Sequence, residues 1–251
     1  MRDERVALHL PPGSYDVDGF KAGRPALLPL EVDELGTLDG SRLVHLQCHF
    51  GLETLDLVRM HPTLNAVGVD FSALAVSEAR KLASELGLSE RAAFVEAEVY
   101  DSPQHVRGDA DVVYTGKGAL NWLPHLDRWA EVCAGLLTPG GWLYVCEFHP
   151  VSTVLGRDKP EPVGDYFEHE PFYSDAPAKS DVRFEWQHTL AEVIDAVLGA
   201  GLELRFLHEW GFTVSPFASW LVKGGDGLYR WPGKGSLPLM YSLKARKPPS
   251  F

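Results

Sequence analysis

The chain has little cysteine, three residues in 251, and they are Cys48, Cys133 and Cys146. An odd number at such wide spacing builds no disulfide framework, so a reducing, cytoplasmic compartment is expected. Basic charge is scarce too: 23 Lys and Arg face 35 Asp and Glu, leaving a net charge of −12. A nucleic-acid groove needs a basic stripe to displace phosphate counterions, and a polybasic membrane surface needs one for anionic lipid. The balance argues against both. No apolar run approaches the ~18 residues of a membrane span, and Met1-Arg2-Asp3-Glu4 opens no apolar signal segment. G-x-x-x-x-G-K-[ST], G-x-S-x-G, H-E-x-x-H and C-x-x-C are all missing. Their absence removes a P-loop, a hydrolase elbow, a zincin site and a thioredoxin-type pair. Cys48, Cys146 and His149 have no ligand spacing, so no metal is expected.

What is present is ordinary globular composition, 45% hydrophobic and 23% charged, arranged in two alternating periods. Short apolar runs lie at Arg42–Gln47, Asn65–Asp70, Ala92–Ala97, Ala110–Thr115 and Trp142–Glu147, each of a length and composition suited to a buried strand. Amphipathic stretches at Leu52–Met60, Ser72–Gly87 and His125–Leu137 separate them, and Pro139-Gly140-Gly141 is expected to turn into the fifth strand. This spacing predicts an α/β fold, a Rossmann-like doubly wound, mostly parallel sheet. Residues 151–189 break the rhythm with Pro160, Pro162, Pro171 and Pro177, and carry Tyr166, Phe167, Phe172, Tyr173, Phe184 and Trp186. So aromatic an insertion is expected to be a lid over a substrate. Leu190–Gly201 then reads as a helix, with Leu202–Glu209 and Leu237–Arg246 as strands. The predicted organisation is an N-terminal arm at 1–41, a core at 42–150, a lid at 151–189, and the rest of the same core at 190–251.

In an open parallel sheet the ligand binds beyond the carboxyl ends of the strands. Strand one ends in Gln47-Cys48-His49-Phe50-Gly51, and strand two ends in Asp70, nineteen residues past Gly51. A carboxylate about ~20 residues past the glycine turn accepts both hydroxyls of a ribose in nucleotide-binding βαβ units. The turn lacks G-x-G-x-x-G, so the expected ligand is an adenosine without a phosphate chain.

Here the sequence resembles the class I S-adenosylmethionine-dependent methyltransferases. LVHLQCHFG at 43–51 is similar to their first motif, and VGVDFS at 67–72, FVEAEVYD at 94–101, DVVYTGKGALNWL at 111–123 and LLTPGGWLYV at 136–145 follow in order. The LQCHxG form resembles a small-molecule branch of that family. The resemblance implies a seven-stranded sheet with an antiparallel last strand, S-adenosylmethionine as cofactor, and methylation of a small-molecule acceptor at O, N or C. It places Gln47, His49 and Gly51 at the amino-acid end of the cofactor, Asp70 on the ribose and Phe71 against the adenine. Glu98, Val99 and Tyr100 read the adenine, and Thr115 and Gly116 line the sulfonium. The family's acidic residue and two of its glycines are His45, Gln47 and His49 here. That departure leaves two other uses of the cofactor open: intramolecular displacement releasing methylthioadenosine, and a non-catalytic binding module.

His149 and His188 are the candidate general bases, needed only if the acceptor loses a proton. Tyr15, Asn121, Trp122, Tyr166, Tyr173 and Trp186 are the candidate substrate contacts. His45, mid-strand among apolar neighbours, reads as a core histidine, and Cys48 as a small buried hydrophobe. Residues 1–41 and 151–189 each hold four basic against eight acidic residues, which favours a neutral or cationic acceptor over a polyanion.

Overall fold

The computed structural model describes residues 16–173, 184–233 and 236–249. Its helices are α1 (Val17–Lys21), α2 (Pro29–Leu35), α3 (Leu52–Met60), α4 (Ala73–Glu85), α5 (Ser102–His105), α6 (Leu126–Leu136) and α7 (Leu190–Gly199). One sheet holds seven strands: β1 (Arg42–Leu46), β2 (Asn65–Asp70), β3 (Ala92–Glu96), β4 (Ala110–Gly116), β5 (Leu137–Phe148), β6 (Glu203–Trp210) and β7 (Met240–Arg246). Their order is β3-β2-β1-β4-β5-β7-β6. Strand order reverses between β1 and β4, the point where open α/β sheets bind ligands.

The chain divides into two compact units, one formed by the chain up to Thr115 with Glu131–Tyr144 and the tail from Arg246, the other by Gly116–Ala130 and Val145–Ala245. In the first, β1 runs parallel to β2 and β4, with Val44 opposite both Val67 and Val113. Leu43, Val44 and Leu46 of β1 and Val112 and Val113 of β4 are all buried, which is why these runs are continuous rather than alternating. Ser72 caps α4 by accepting from Ala75 N–H at 3.2 Å, as its position before the apolar period predicted. Gly68 lets β2 approach β3 closely: a Cβ there would lie 2.6 Å from the Phe94 ring and 2.7 Å from Cys48 Sγ.

Residues 16–36 are tied to this unit. Buried Asp56 accepts from Ala26 N–H at 2.7 Å and Leu27 N–H at 3.1 Å. Arg59 donates to Phe20 O at 3.0 Å and lies 4.4 Å over the Phe20 ring. Phe20 is thereby buried. Tyr114 and Tyr144, stacked at 5.9 Å, donate their hydroxyls to Glu31 and Glu34 of α2 at 2.6 and 2.7 Å.

Three sequence expectations are corrected. Pro139-Gly140-Gly141 does not precede the fifth strand but lies within β5. Gly140 N–H donates to Lys247 O and Lys247 N–H to Gly141 O, so the glycine at φ +85° makes a kink inside an antiparallel pairing with the chain beyond β7. The last strand starts at Met240 rather than Leu237, because Pro238 has no N–H to give to a ladder. The insertion is not wholly irregular: Pro150–Val154 forms a 3₁₀ turn, and Phe172–Tyr173 pairs antiparallel with Phe184–Glu185.

Candidate active site

In the first unit the loop after β1 bends through three left-handed residues, Gln47 at φ +56°, His49 at +52° and Gly51 at +75°. Left-handed backbone costs an L-residue roughly 1–2 kcal/mol, so the surroundings must hold Gln47 and His49 there. Asp70 at the end of β2 does this for His49. Its Oδ2 accepts from His49 N–H at 2.8 Å, and its Oδ1 accepts from Ser72 N–H at 3.0 Å. Burial pushes the Asp70 carboxyl above its usual range, the two amides pull it back, and Glu98 adds a like charge. Glycine is required at position 51, where a Cβ would strike the Phe94 ring in addition to the φ constraint.

Ala97 N–H donates to Asp70 O at 3.0 Å, which brings the end of β3 beside the end of β2. Glu98 then opens the Val99–Asp101 turn, with Val99 buried and Tyr100 half-buried, while Phe71 stays 37% exposed. Thr115, opposite Leu46 in β1, is fully buried with no partner for its Oγ1 among the described residues. Gly116 is the last residue of β4. His45 sits in the core, its Nδ1 2.7 Å from Thr54 Oγ1 and its ring 4.5 Å from that of Tyr114. Cys48, Cys133 and Cys146 are all buried, and burial pushes the Cys48 thiol up. Among the described residues no group of three or more His, Cys, Asp or Glu is placed to hold a metal ion.

The second unit collects the other candidates. Asn121 and Trp122 lie in the Leu120–Trp122 turn after β4. Asn121 Nδ2 donates to Glu185 Oε2 at 3.0 Å, and Trp186 N–H donates to Asn121 O at 2.9 Å. His188 Nε2 is 2.7 Å from Leu123 O. A carbonyl only accepts, so Nε2 carries the proton and Nδ1 is the basic nitrogen. Leu190 N–H donates to Tyr166 Oη at 3.1 Å. Thus Asn121, Trp122, Trp186 and His188 are brought together, with Tyr166 at the start of α7. Tyr15 and the side chain of Tyr173 lie outside the described residues.

His149 is engaged on both sides. Its Nδ1 accepts from Val151 N–H at 3.1 Å, and its Nε2 lies 2.9 Å from Glu209 Oε1. A base role for it requires release of the Nδ1 lone pair. Sequence reasoning missed the group that shapes this region, Glu147. Its buried carboxylate accepts from the backbone N–H groups of Gly118, Ala119 (2.7 Å), Leu120 (3.3 Å) and Phe148 (2.6 Å). Burial pushes the Glu147 carboxyl up and the four amides oppose it. The signal was a charged residue in the otherwise apolar run of β5.

Burial lowers the proton affinity of both His149 and His188, more than Glu209 or the Leu123 carbonyl restores it. A histidine with a depressed folded pKa contributes stability above its unfolded value, ~6.5, and loses it as the pH falls below that. Asp70 and Glu147, pushed up by burial, act with the opposite sign. The histidine contribution is therefore read as a difference. Between pH 7.5 and 5.5, the wild type is expected to lose more stability to urea than His149→Gln does; equal losses would refute the assignment.

This seven-stranded sheet is a fold that the chain shares with solved S-adenosylmethionine-dependent methyltransferases. Residues 44–143 match the family described as "Methyltransferase domain". Among solved structures it is similar to an S-adenosylmethionine-dependent methyltransferase from Methanosarcina mazei, at 18% identity and TM-score 0.62, over 89% of this chain and 99% of that one. One from Mesorhizobium loti matches at 19% and 0.66, over 87% and 96%. Geranyl diphosphate C-methyltransferase from Streptomyces coelicolor, solved with Mg2+, geranyl diphosphate and S-adenosyl-L-homocysteine, matches at 15% and 0.60, over 97% and 88%.

Proposed function

We propose that this protein transfers the methyl group of S-adenosylmethionine to a small-molecule acceptor that is neutral or cationic. The observation that carries the reading is Asp70, which braces the left-handed loop through His49 N–H while keeping lone pairs available at the end of β2. The residues fit the cofactor: a carboxylate for the ribose hydroxyls, Phe71 for the adenine, and the orphaned Thr115 hydroxyl at the end of β4. Bound, the cofactor supplies an electrophilic methyl on a sulfonium, whose carbon–sulfur bond breaks as the acceptor's lone pair attacks in line.

The chain's own residues need only position and dehydrate. Gln47, His49 and Gly51 hold the amino-acid end, and Glu98, with the backbone of Val99 and Tyr100, reads the adenine. Asn121, Trp122, Tyr166 and Trp186 serve the acceptor, where alignment and water exclusion provide most of the acceleration. His188, with its Nε2–H fixed by Leu123 O, holds a basic Nδ1 ready for an acceptor proton. The acidic 151–189 segment, eight carboxylates to four cations, slows a polyanion and favours an amine or a neutral hydroxyl compound.

Incubation with methyl-labelled S-adenosylmethionine and a fractionated metabolite extract tests this. The expected result is label in a product smaller than a peptide, with S-adenosylhomocysteine formed in equal amount. Label in protein or nucleic acid, or methylthioadenosine in place of S-adenosylhomocysteine, would overturn it.

A further inference from the structure

β6 is the last strand of the sheet and is eight residues long, Glu-Leu-Arg-Phe-Leu-His-Glu-Trp. Edge strands are normally shortened, bulged, or guarded by lysine or proline. This one has neither residue, and it presents a stripe of aromatic side chains. Phe206 and His208 are stacked at 4.4 Å, His208 and Trp210 meet at 6.0 Å, and Leu204 extends the same face at 37% exposure. Leu239 N–H donates to Trp210 O at 2.8 Å, so even-numbered residues of β6 turn their backbone groups towards β7. The odd-numbered ones, Glu203, Arg205, Leu207 and Glu209, turn theirs outward.

The sequence of β6 is complementary to itself when reversed. Antiparallel pairing of two copies about a two-fold axis sets one residue opposite its own counterpart. With that residue at Leu207, Arg205 faces Glu209 at both ends, Phe206 faces His208, and Leu204 faces Trp210. Moving the axis to Phe206 sets Glu203 against Glu209, a like-charge pair that cross-strand packing disfavours. Arg205 and Glu209 are half-exposed. Glu209 meets His149 Nε2 through Oε1 at 2.9 Å, so its Oε2 is the oxygen for Arg205 of the second copy. The 3.4 Å pair of Arg205 with Glu203 is an exposed one that costs little to exchange.

We propose that β6 is a dimerisation edge whose occupant is β6 of a second copy of this chain, paired antiparallel about Leu207. Sedimentation equilibrium on the full chain from about 1 to about 200 µM is expected to show conversion from the 27.7 kDa monomer to its dimer. Arg205→Glu places glutamate against Glu209 twice, and is expected to raise the dissociation constant about 10-fold or more. Leu207→Cys probes geometry independently. Directly opposed Cα atoms lie ~5.5 Å apart, within disulfide reach, whereas Arg205→Cys faces position 209 and its two copies stand beyond reach. Under oxidation the first variant is expected to give a covalent dimer and the second to stay uncrosslinked; the native cysteines are all buried. A monomer throughout the range, a dimer indifferent to Arg205→Glu, or equal crosslinking of the two cysteine variants would each overturn the proposal.

Discussion

Replacing Asp70 with alanine is expected to weaken binding of S-adenosylmethionine by about 100-fold. The proposed ribose contacts are hydrogen bonds to a charged acceptor, each worth roughly 1.5–3 kcal/mol, and the loss of one to two of them corresponds to that factor. A second effect adds to it. His49 N–H and Ser72 N–H both lose their acceptor, so the left-handed loop after β1 is no longer held in place. Asp70→Asn separates the two contributions. It retains a side-chain oxygen able to accept from one amide, but it lacks the charge, and its affinity is expected to fall between those of wild type and alanine. Calorimetric titration with S-adenosylhomocysteine measures both variants, and circular dichroism verifies that they remain folded. An unchanged affinity in a folded Asp70→Ala protein would place the ribose elsewhere.

Glu147→Gln is expected to be the most damaging isosteric change for stability. All four partners of this carboxylate are donors. A glutamine offers one oxygen and one NH2, and the NH2 must face amides that also donate. Leaving buried N–H groups unsatisfied costs about 1–3 kcal/mol apiece, so a loss of about 3 kcal/mol is expected. For a chain of this size that lowers Tm by roughly 6–12 °C. Because Gly118, Ala119 and Leu120 lead directly into Asn121 and Trp122, the same variant is expected to lose acceptor methylation while retaining cofactor affinity. A Tm within about 2 °C of wild type would show that the loop does not depend on Glu147.

The two residues differ in how visible they were before folding. Asp70 stood at the end of an apolar run and nineteen residues past a glycine, so its place at the sheet's carboxyl edge was legible. Ser72 and Gly51 were legible for the same reason, since caps and turn glycines act over a few residues. Glu147 sat in an equally apolar run but found its partners at 118–120, nearly thirty residues away in sequence, where no local pattern points. Asp56, Arg59 and Glu31 were silent in the same way. The His149–Glu209 contact spans sixty residues.

By itself the sequence determined the alternation of strands and helices, the placing of Asp70 at the carboxyl end of β2 and the absence of a phosphate loop. These rest on periods of two and 3.6 residues and on short turns, which are properties of neighbouring residues. Only the tertiary structure decided that Gln47 and His49 adopt a glycine's conformation and that Phe20 is buried under Arg59. It also decided that Gly140 lies inside a strand, and which histidine nitrogen is left basic. Each of these depends on a donor, acceptor or ring brought in from a distant part of the chain. Long-range contacts decide which buried polar group is satisfied and by what, and local propensity carries no record of them.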